Sequence, residues 1–314
     1  MSHFARALEL AERGRGKTAD HPLVGAVVVR NDVVVGEGWY EYDGVRHAET
    51  IALEQAGDGA RGATLYVTLE PCSHQGRTPP CADAVVAAGI ARVVVGARDP
   101  NPVVDGRGLE RLRAAGLEVE LLDDFAARRQ NEAWRLWKSL RRPFVTYKAA
   151  VTLDGRVAIP GRRWVSGEES RRRVHELRAA SDAVAVGMGT VRADAPRLDA
   201  REVRATRQPR RLAFGRGPLP DGSELELRSG PLEEELRALA EDGVQSVLLE
   251  GGPTLATAFL AGGLVDKLLF FVAPVLAGDG PYALGELAAP LELLHLRSEA
   301  SGDDVLLEAY LREP

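Results

Sequence analysis

The run Thr68-Leu69-Glu70-Pro71-Cys72-Ser73-His74-Gln75-Gly76-Arg77-Thr78-Pro79-Pro80-Cys81, read with His47-Ala48-Glu49 upstream, decides how the first part of this chain folds. One imidazole and two thiolates make three ligands for a borderline-soft ion. Three protein ligands leave a coordination position open, as a catalytic zinc site requires. Helix patterns begin at His47 and at Cys81. Two helix starts therefore converge on the metal, and their positive ends favour thiolate. Glu49 follows His47 by two residues, close enough to handle protons without binding the ion. The competing reading is a closed structural knuckle. It needs a fourth ligand, for which His74 is the nearby candidate, and it gives the Glu beside the His no purpose.

Working outward, residues 24–30 are an apolar, β-branched strand, answered by residues 33–36 after the turn pair Asn31-Asp32. Helix patterns at 47–56, 81–88 and 108–115 alternate with strand patterns at 64–68, 92–95 and 117–121. This alternation predicts a largely parallel sheet covered on both faces. Residues 123–140 read as one charged helix, with Trp134 and Trp137 on the side that faces between two domains. Arg141-Arg142-Pro143 ends it. A second α/β unit begins at Phe144, with strands predicted at 145–149, 183–187, 211–214, 246–249 and 268–272. Residues 219–230, rich in Pro, Gly and acidic side chains, are the loosest stretch.

A chain of 314 residues suits two domains better than one. The net charge of −6 gives no basic field for nucleic acid or an anionic membrane. Of 40 basic residues only four are lysine, and arginine suits rigid grips on phosphate. A GC-rich genome or a heat-adapted host would produce the same bias. The N-terminus reads as a mature helix rather than a signal peptide. No apolar run approaches the ~18 residues that span a bilayer. The two cysteines look like metal thiolates and not a disulfide, which fits a reducing cytoplasm.

His-x-Glu followed by Pro-Cys and a second Cys matches the zinc deaminase signature, in which two residues usually separate the cysteines. Here eight do. The long run quoted above, with Pro22-Leu23-Val24-Gly25-Ala26-Val27 and Asp99-Pro100-Asn101-Pro102…Gly106-Arg107-Gly108-Leu109, closely resembles the deaminase half of the bifunctional riboflavin-biosynthesis deaminase–reductases. The resemblance implies a cytidine-deaminase-like three-layer α/β/α domain over residues 1–142. It implies Zn2+ on His47, Cys72 and Cys81, with Glu49 as catalytic proton shuttle. The implied substrate is a diaminopyrimidine carrying a phosphoribosylamino group. Arg77, held between Gly76 and Pro79-Pro80, is the candidate for the substrate phosphate; a surface arginine is the alternative. The family usually has Asn where this chain has His21, which can also donate or accept, or can simply serve the turn before Pro22.

The second half carries weaker motifs. Ser246-Val247-Leu248-Leu249-Glu250-Gly251-Gly252-Pro253-Thr254-Leu255 reads as a buried strand, a glycine turn and a helix start, which is either a phosphate cradle or an ordinary strand-to-helix turn. Val184-Ala185-Val186-Gly187-Met188-Gly189-Thr190 is not a dinucleotide fingerprint. The succession of Tyr147-Lys148-Ala149-Ala150-Val151-Thr152-Leu153-Asp154-Gly155-Arg156, Trp164-Val165-Ser166-Gly167, His175-Glu176-Leu177-Arg178, Gly189-Thr190-Val191-Arg192-Ala193-Asp194 and the Glu250 block is similar to the reductase half of the same family. It implies a dihydrofolate-reductase-like α/β domain over residues 143–314. It implies NADPH contacts at Ala150, Trp164, Thr190, Asp194, Gly252, Pro253, Thr254 and Leu255, and substrate contacts at Arg178, Leu198, Arg201 and Glu250. Arg178 and Arg201 could grip a sugar phosphate or lie solvated; Trp164 could flank nicotinamide or fill a core. Glu250 could orient the sugar or cap the next helix. Gly215-Arg216 stands where the family usually has Asp-Ser, so the choice of NADPH over NADH comes from the resemblance alone. The expectation is a cytoplasmic homo-oligomer acting on a small molecule. Two other readings are a nucleic-acid or nucleoside deaminase with an accessory domain, and a chain with only one of the two activities.

Overall fold

Val27 and Val29 point to one side of their strand and Ala26 and Val28 to the other, and all four are buried. Burial on both faces demands layers above and below the sheet. The computed structural model describes residues 2–18, 20–42, 45–76, 78–205 and 207–314, and its backbone divides into two units, Met1–Leu140 and Arg141–Glu313.

The first unit runs α1 (His3–Glu12), β1 (Gly25–Arg30), β2 (Val33–Trp39), α2 (Ala48–Ala56), β3 (Thr64–Leu69), α3 (Cys81–Ala87), β4 (Arg92–Ala97), α4 (Arg107–Ala114), β5 (Glu118–Leu121), α5 (Phe125–Gln130) and α6 (Glu132–Leu140). The sheet order is β2-β1-β3-β4-β5. On one face α2, α3 and α4 pack on Ala26, Val28, Leu65, Val67, Val93 and Val95. On the other, α1 covers Val27 and Val29. This is the expected α/β/α sandwich. The sheet is not largely parallel, however. β1 pairs antiparallel with both β2 and β3, and only β3-β4-β5 is parallel. Asn31 and Asp32, at φ 50° and 63°, make a two-residue hairpin, so β2 returns beside β1 before any helix intervenes.

Two glycines set the depth at which α2 lies. A Cβ on Gly36 would stand 2.1 Å from the Ala52 carbonyl oxygen, and one on Gly38 would stand 2.2 Å from that of Ala48. The backbone of α2 therefore rests on β2 itself, with His47 at its N-cap and Glu49 in its first turn.

The single helix predicted over 123–140 is two helices. Asp124 caps α5 by accepting from the Ala127 N–H at 2.9 Å. At Asn131 the side-chain amide leaves the helix axis to pair with the backbone of Leu23: Oδ1 accepts from its N–H and Nδ2 donates to its carbonyl, both at 2.8 Å. Residues beyond the break turn Trp134 inward, to 6% exposure, as part of the first unit.

The second unit runs β6 (Phe144–Thr152), α7 (Glu168–Ala180), β7 (Ala183–Gly187), α8 (Met188–Asp194), β8 (Arg210–Phe214), β9 (Glu226–Arg228), α9 (Leu232–Glu241), β10 (Ser246–Leu249), α10 (Pro253–Ala261), β11 (Lys267–Ala273), β12 (Leu294–Ser301) and β13 (Asp304–Tyr310). Its sheet order is β12-β13-β11-β6-β10-β7-β8-β9. All five predicted strands are present and mutually parallel; β13 and β12 add an antiparallel edge. Helices α9 and α10 cover one face, and α7 and α8 the other. The stretch read as loose contains β9, paired with β8. No helix among the described residues is long and apolar enough to cross a membrane.

Asp266, fully buried just before β11, fastens this sheet. It accepts from both Nη atoms of Arg142 at 2.7 Å and from the Val145 N–H at 2.8 Å, and forms an ion pair with Arg312, whose Nε lies 2.7 Å away. Removing the carboxylate strands a buried arginine. Asp266→Ala is therefore expected to destabilise the second unit by about 3–5 kcal/mol. Urea unfolding followed by circular dichroism checks this, and a loss under about 1 kcal/mol would show that the cluster is not a fastening point.

Candidate functional site

His47, Cys72 and Cys81 reach a common point from three elements. His47 caps α2, Cys72 follows β3, and Cys81 opens α3. Their ligand atoms lie within 4.8 Å of one another, and no other such group of His, Cys, Asp or Glu occurs among the described residues. His47 Nδ1 is 3.1 Å from Cys81 Sγ and 3.8 Å from Cys72 Sγ. Ligand atoms around a tetrahedral zinc stand about 3.5–3.8 Å apart, so the set fits that ion with little adjustment. The other ring nitrogen, Nε2, is 3.4 Å from the Thr78 hydroxyl, which can fix the tautomer that leaves Nδ1 for the metal. His74 does not join the group, so the closed knuckle lacks its fourth ligand among the described residues.

The two sulfurs behave as one acidic unit. Cys72 accepts from the Cys81 N–H at 3.3 Å. Hydrogen bonding from the Cys81 thiol, with His47 beside it, pushes the Cys72 thiol down to about 4. The same bond, with burial, pushes Cys81 up. The pair shares a proton that a dication would replace. Glu49 is 4% exposed. Burial, reinforced by the Cys72 sulfur, raises its carboxyl to about 7.

His47, Glu49 and Cys72 border a cavity of about 420 Å3. Its wall also holds His21, Tyr40, Asp99, Asn101, Trp134 and Lys138. Asp99 is raised to about 7, chiefly by burial. The buried Nδ1 of His74, in the eight-residue insert, has no hydrogen-bond partner and is available to a ligand. Arg77 lies outside the described residues. Sequence reading placed Trp134 between two domains and assigned no site role to Asp99 or Asn101. The signal for the latter two was the Asp-Pro-Asn-Pro block, quoted above only for its resemblance.

In the second unit Glu250 follows β10 at the carboxyl end of the parallel strands, where open α/β sheets bind ligands. Arg178 grips it with Nε at 2.6 Å and Nη2 at 3.0 Å, and Lys148 Nζ adds a third contact at 3.2 Å. Burial alone would raise this carboxyl, but Lys148 and Arg178 together hold it down to about 2. Lys148 is the residue that sequence reading missed; its signal was a lysine inside an apolar strand. Arg178 also donates to the Asp199 carbonyl at 3.2 Å, and the Asp199 carboxylate pairs with Arg201. Arg178, Arg201 and Glu250 are thus brought together through Asp199. Leu198, buried at φ 55°, directly precedes Asp199.

The candidate cofactor residues gather in part. Gly252 is the N-cap of α10, Pro253, Thr254 and Leu255 form its first turn, and a Cβ on Gly252 would stand 3.4 Å from Thr190 Oγ1 of α8. The N-terminus of α10 and the glycine beside Thr190 make a cradle that fits a cofactor phosphate. Ala150 lies along β6 on the face that α7 covers. Asp194 ends α8, exposed. Trp164 is half exposed, with the guanidinium carbons of Arg163 and Arg171 4.9 and 5.5 Å from its ring centre.

Comparison with known proteins covers both halves of the chain. The family model for the cytidine and deoxycytidylate deaminase zinc-binding region matches residues 1–97, and that for the RibD C-terminal domain matches residues 143–307. The riboflavin biosynthesis protein RibD of Aquifex aeolicus is 39% identical, covering 98% of this chain and 97% of its own. That of Mycobacterium tuberculosis is 39% identical over 98% and 96%. Among solved structures, Acinetobacter baumannii RibD, form 1, superposes with a TM-score of 0.83 at 36% identity, covering 98% of this chain and 97% of that one. The diaminohydroxyphosphoribosylaminopyrimidine deaminase/5-amino-6-(5-phosphoribosylamino)uracil reductase of Thermotoga maritima superposes with a TM-score of 0.81 at 34% identity, over 98% and 97%. With both family models matched and full-length relatives at this level of identity, the chain belongs to the RibD family of bifunctional riboflavin-biosynthesis deaminase–reductases.

Proposed function

We propose that residues 1–142 deaminate the ring of 2,5-diamino-6-(phosphoribosylamino)pyrimidin-4-one and that residues 143–314 reduce the ribose of the product to a ribityl chain. The observation that carries the first assignment is the convergence of His47, Cys72 and Cys81 beside a cavity whose wall holds His47, Cys72 and the buried Glu49. The second rests on Glu250, clamped by Lys148 and Arg178 at the carboxyl end of the sheet.

When bound, zinc supplies Lewis acidity at the first site and NADPH supplies hydride at the second. The chain's own groups do the rest. At the first site ring C–NH2 and water become C=O and ammonia. Glu49, near neutrality in its burial, takes the water's proton and passes it to the ring nitrogen and then to the leaving ammonia. His21, Asp99 and Asn101 face the ring, and Arg77 and His74 of the insert bind the phosphate. At the second site Glu250 stays ionised and accepts from sugar hydroxyls, while Arg178 and Arg201 attract the phosphate. The α10 cradle, with Thr190, holds the cofactor phosphates; Ala150, Trp164 and Asp194 complete its contacts.

The substrate is a small molecule. Residues 291–296, which include Leu291, Leu293, Leu294 and Leu296, leave large apolar side chains exposed at the outer strand, and this supports a homo-oligomer formed through that edge. We place the enzyme in the cytoplasm, where both cysteines stay reduced.

Following ammonia release and absorbance loss at 340 nm together, with zinc, NADPH and the phosphoribosylamino-diaminopyrimidine, tests the whole reading. Absence of either signal removes that half. Cys81→Ala should lose zinc and deamination but keep reduction of the deaminated substrate. Glu49→Gln should keep zinc and lower deamination by about 100- to 10,000-fold; wild-type rates would reject the shuttle. Glu250→Ala should leave ammonia release near wild type and cut NADPH oxidation at least tenfold, about the effect of losing a charged hydrogen bond.

A further inference from the structure

Glu70 takes no part in the chemistry above, yet it is 3% exposed and stands two residues before Cys72. Its carboxylate accepts four backbone N–H groups from one distant segment. Oε2 takes those of Asp99 at 3.2 Å and Gly106 at 3.1 Å; Oε1 takes those of Gly108 at 2.9 Å and Leu109 at 3.3 Å. Gly108 and Leu109 open α4, where N–H groups lack helical partners and negative charge is favoured. The contact is close as well as bonded: a Cβ on Gly108 would stand 2.0 Å from the Pro71 carbonyl oxygen. The segment so held carries Asp99 and Asn101 into the cavity wall, where the Asn101 N–H donates to Asp99 Oδ1 at 2.8 Å.

We infer that Glu70 is a positioning residue for deamination: it fixes the distance between the loop that carries Cys72 and the loop that presents Asp99 and Asn101 to the pyrimidine. This rests on the reading of the cavity as the deaminase site. One short carboxylate thereby ties metal placement to ring placement. A shift of the second loop leaves the metal donors in place and weakens only the hold on the ring.

The test is Glu70→Gln in the full chain. The glutamine keeps the shape but turns an amide donor toward two N–H donors. Zinc content and reduction of the deaminated substrate should match wild type. KM for deamination should rise about tenfold, with kcat falling less, as one to two lost hydrogen bonds to a charged group would cause. Glu70→Asp, which keeps the acceptors one methylene short, should recover part of the loss. Unchanged deamination kinetics in Glu70→Gln would overturn the inference. So would loss of zinc or of reduction, which would make Glu70 a support for the fold at large. Wild-type deamination by Glu49→Gln, measured alongside, would instead bring down the reading of the cavity itself.

Discussion

The deaminase half depends on how deeply α2 can sink onto β2. With no side chain at Gly36 and Gly38, the Ala52 and Ala48 carbonyls occupy the space that side chains would take. That depth places His47 at the metal point and Glu49 below the surface in one movement, because the two residues share one helix start. Burial then does the chemical tuning. A carboxyl two residues along, on the outer face of the same helix, would be an ordinary surface acid. Packing sets proton affinity here.

The two halves set a buried carboxylate in opposite electrostatic surroundings. Glu49 meets mainly desolvation and the Cys72 sulfur, and it rises to about 7. Glu250 meets two cations and falls to about 2. The first can carry a proton near neutrality and the second keeps its charge throughout. The chemistry asked of each site matches this contrast. Deamination moves protons between water, ring and ammonia. Reduction takes its hydride from the cofactor, and the protein's part is orientation and charge.

Much of this could be read from the letters. The metal donors were legible because ligand identity and short spacing survive without knowing the fold. The five parallel strands of the second unit were legible because burial on both faces leaves continuous apolar runs, as in Ala183–Gly187. The β12 strand was not, since its first seven residues are exposed and the alternation in Leu294-His295-Leu296-Arg297 gives way to Ser298-Glu299. The direction of β3 against β1 was hidden for another reason. An alternating strand–helix order looks the same whether or not the first strands reverse. The ion network was hidden by distance. Lys148 and Glu250 are 102 positions apart, and no local pattern names a partner so remote. Arg178, read as a phosphate grip or a solvated charge, places two of its donors on Glu250, 72 positions away.

The break at Asn131 has a bearing on how the chain assembles. Its amide closes a loop of 108 positions by pairing with both backbone groups of Leu23, next to the first strand. Closing a loop of that length has an entropic cost that grows only slowly with length, but it cannot be met before the later residue exists. During synthesis the five strands and the metal donors are complete by Leu121, while Leu23 still waits for its partner. The Trp134 side of the cavity is therefore the last wall to be built. A ribosome-bound chain that has already folded its sheet presents an open, unfinished pocket until α6 emerges.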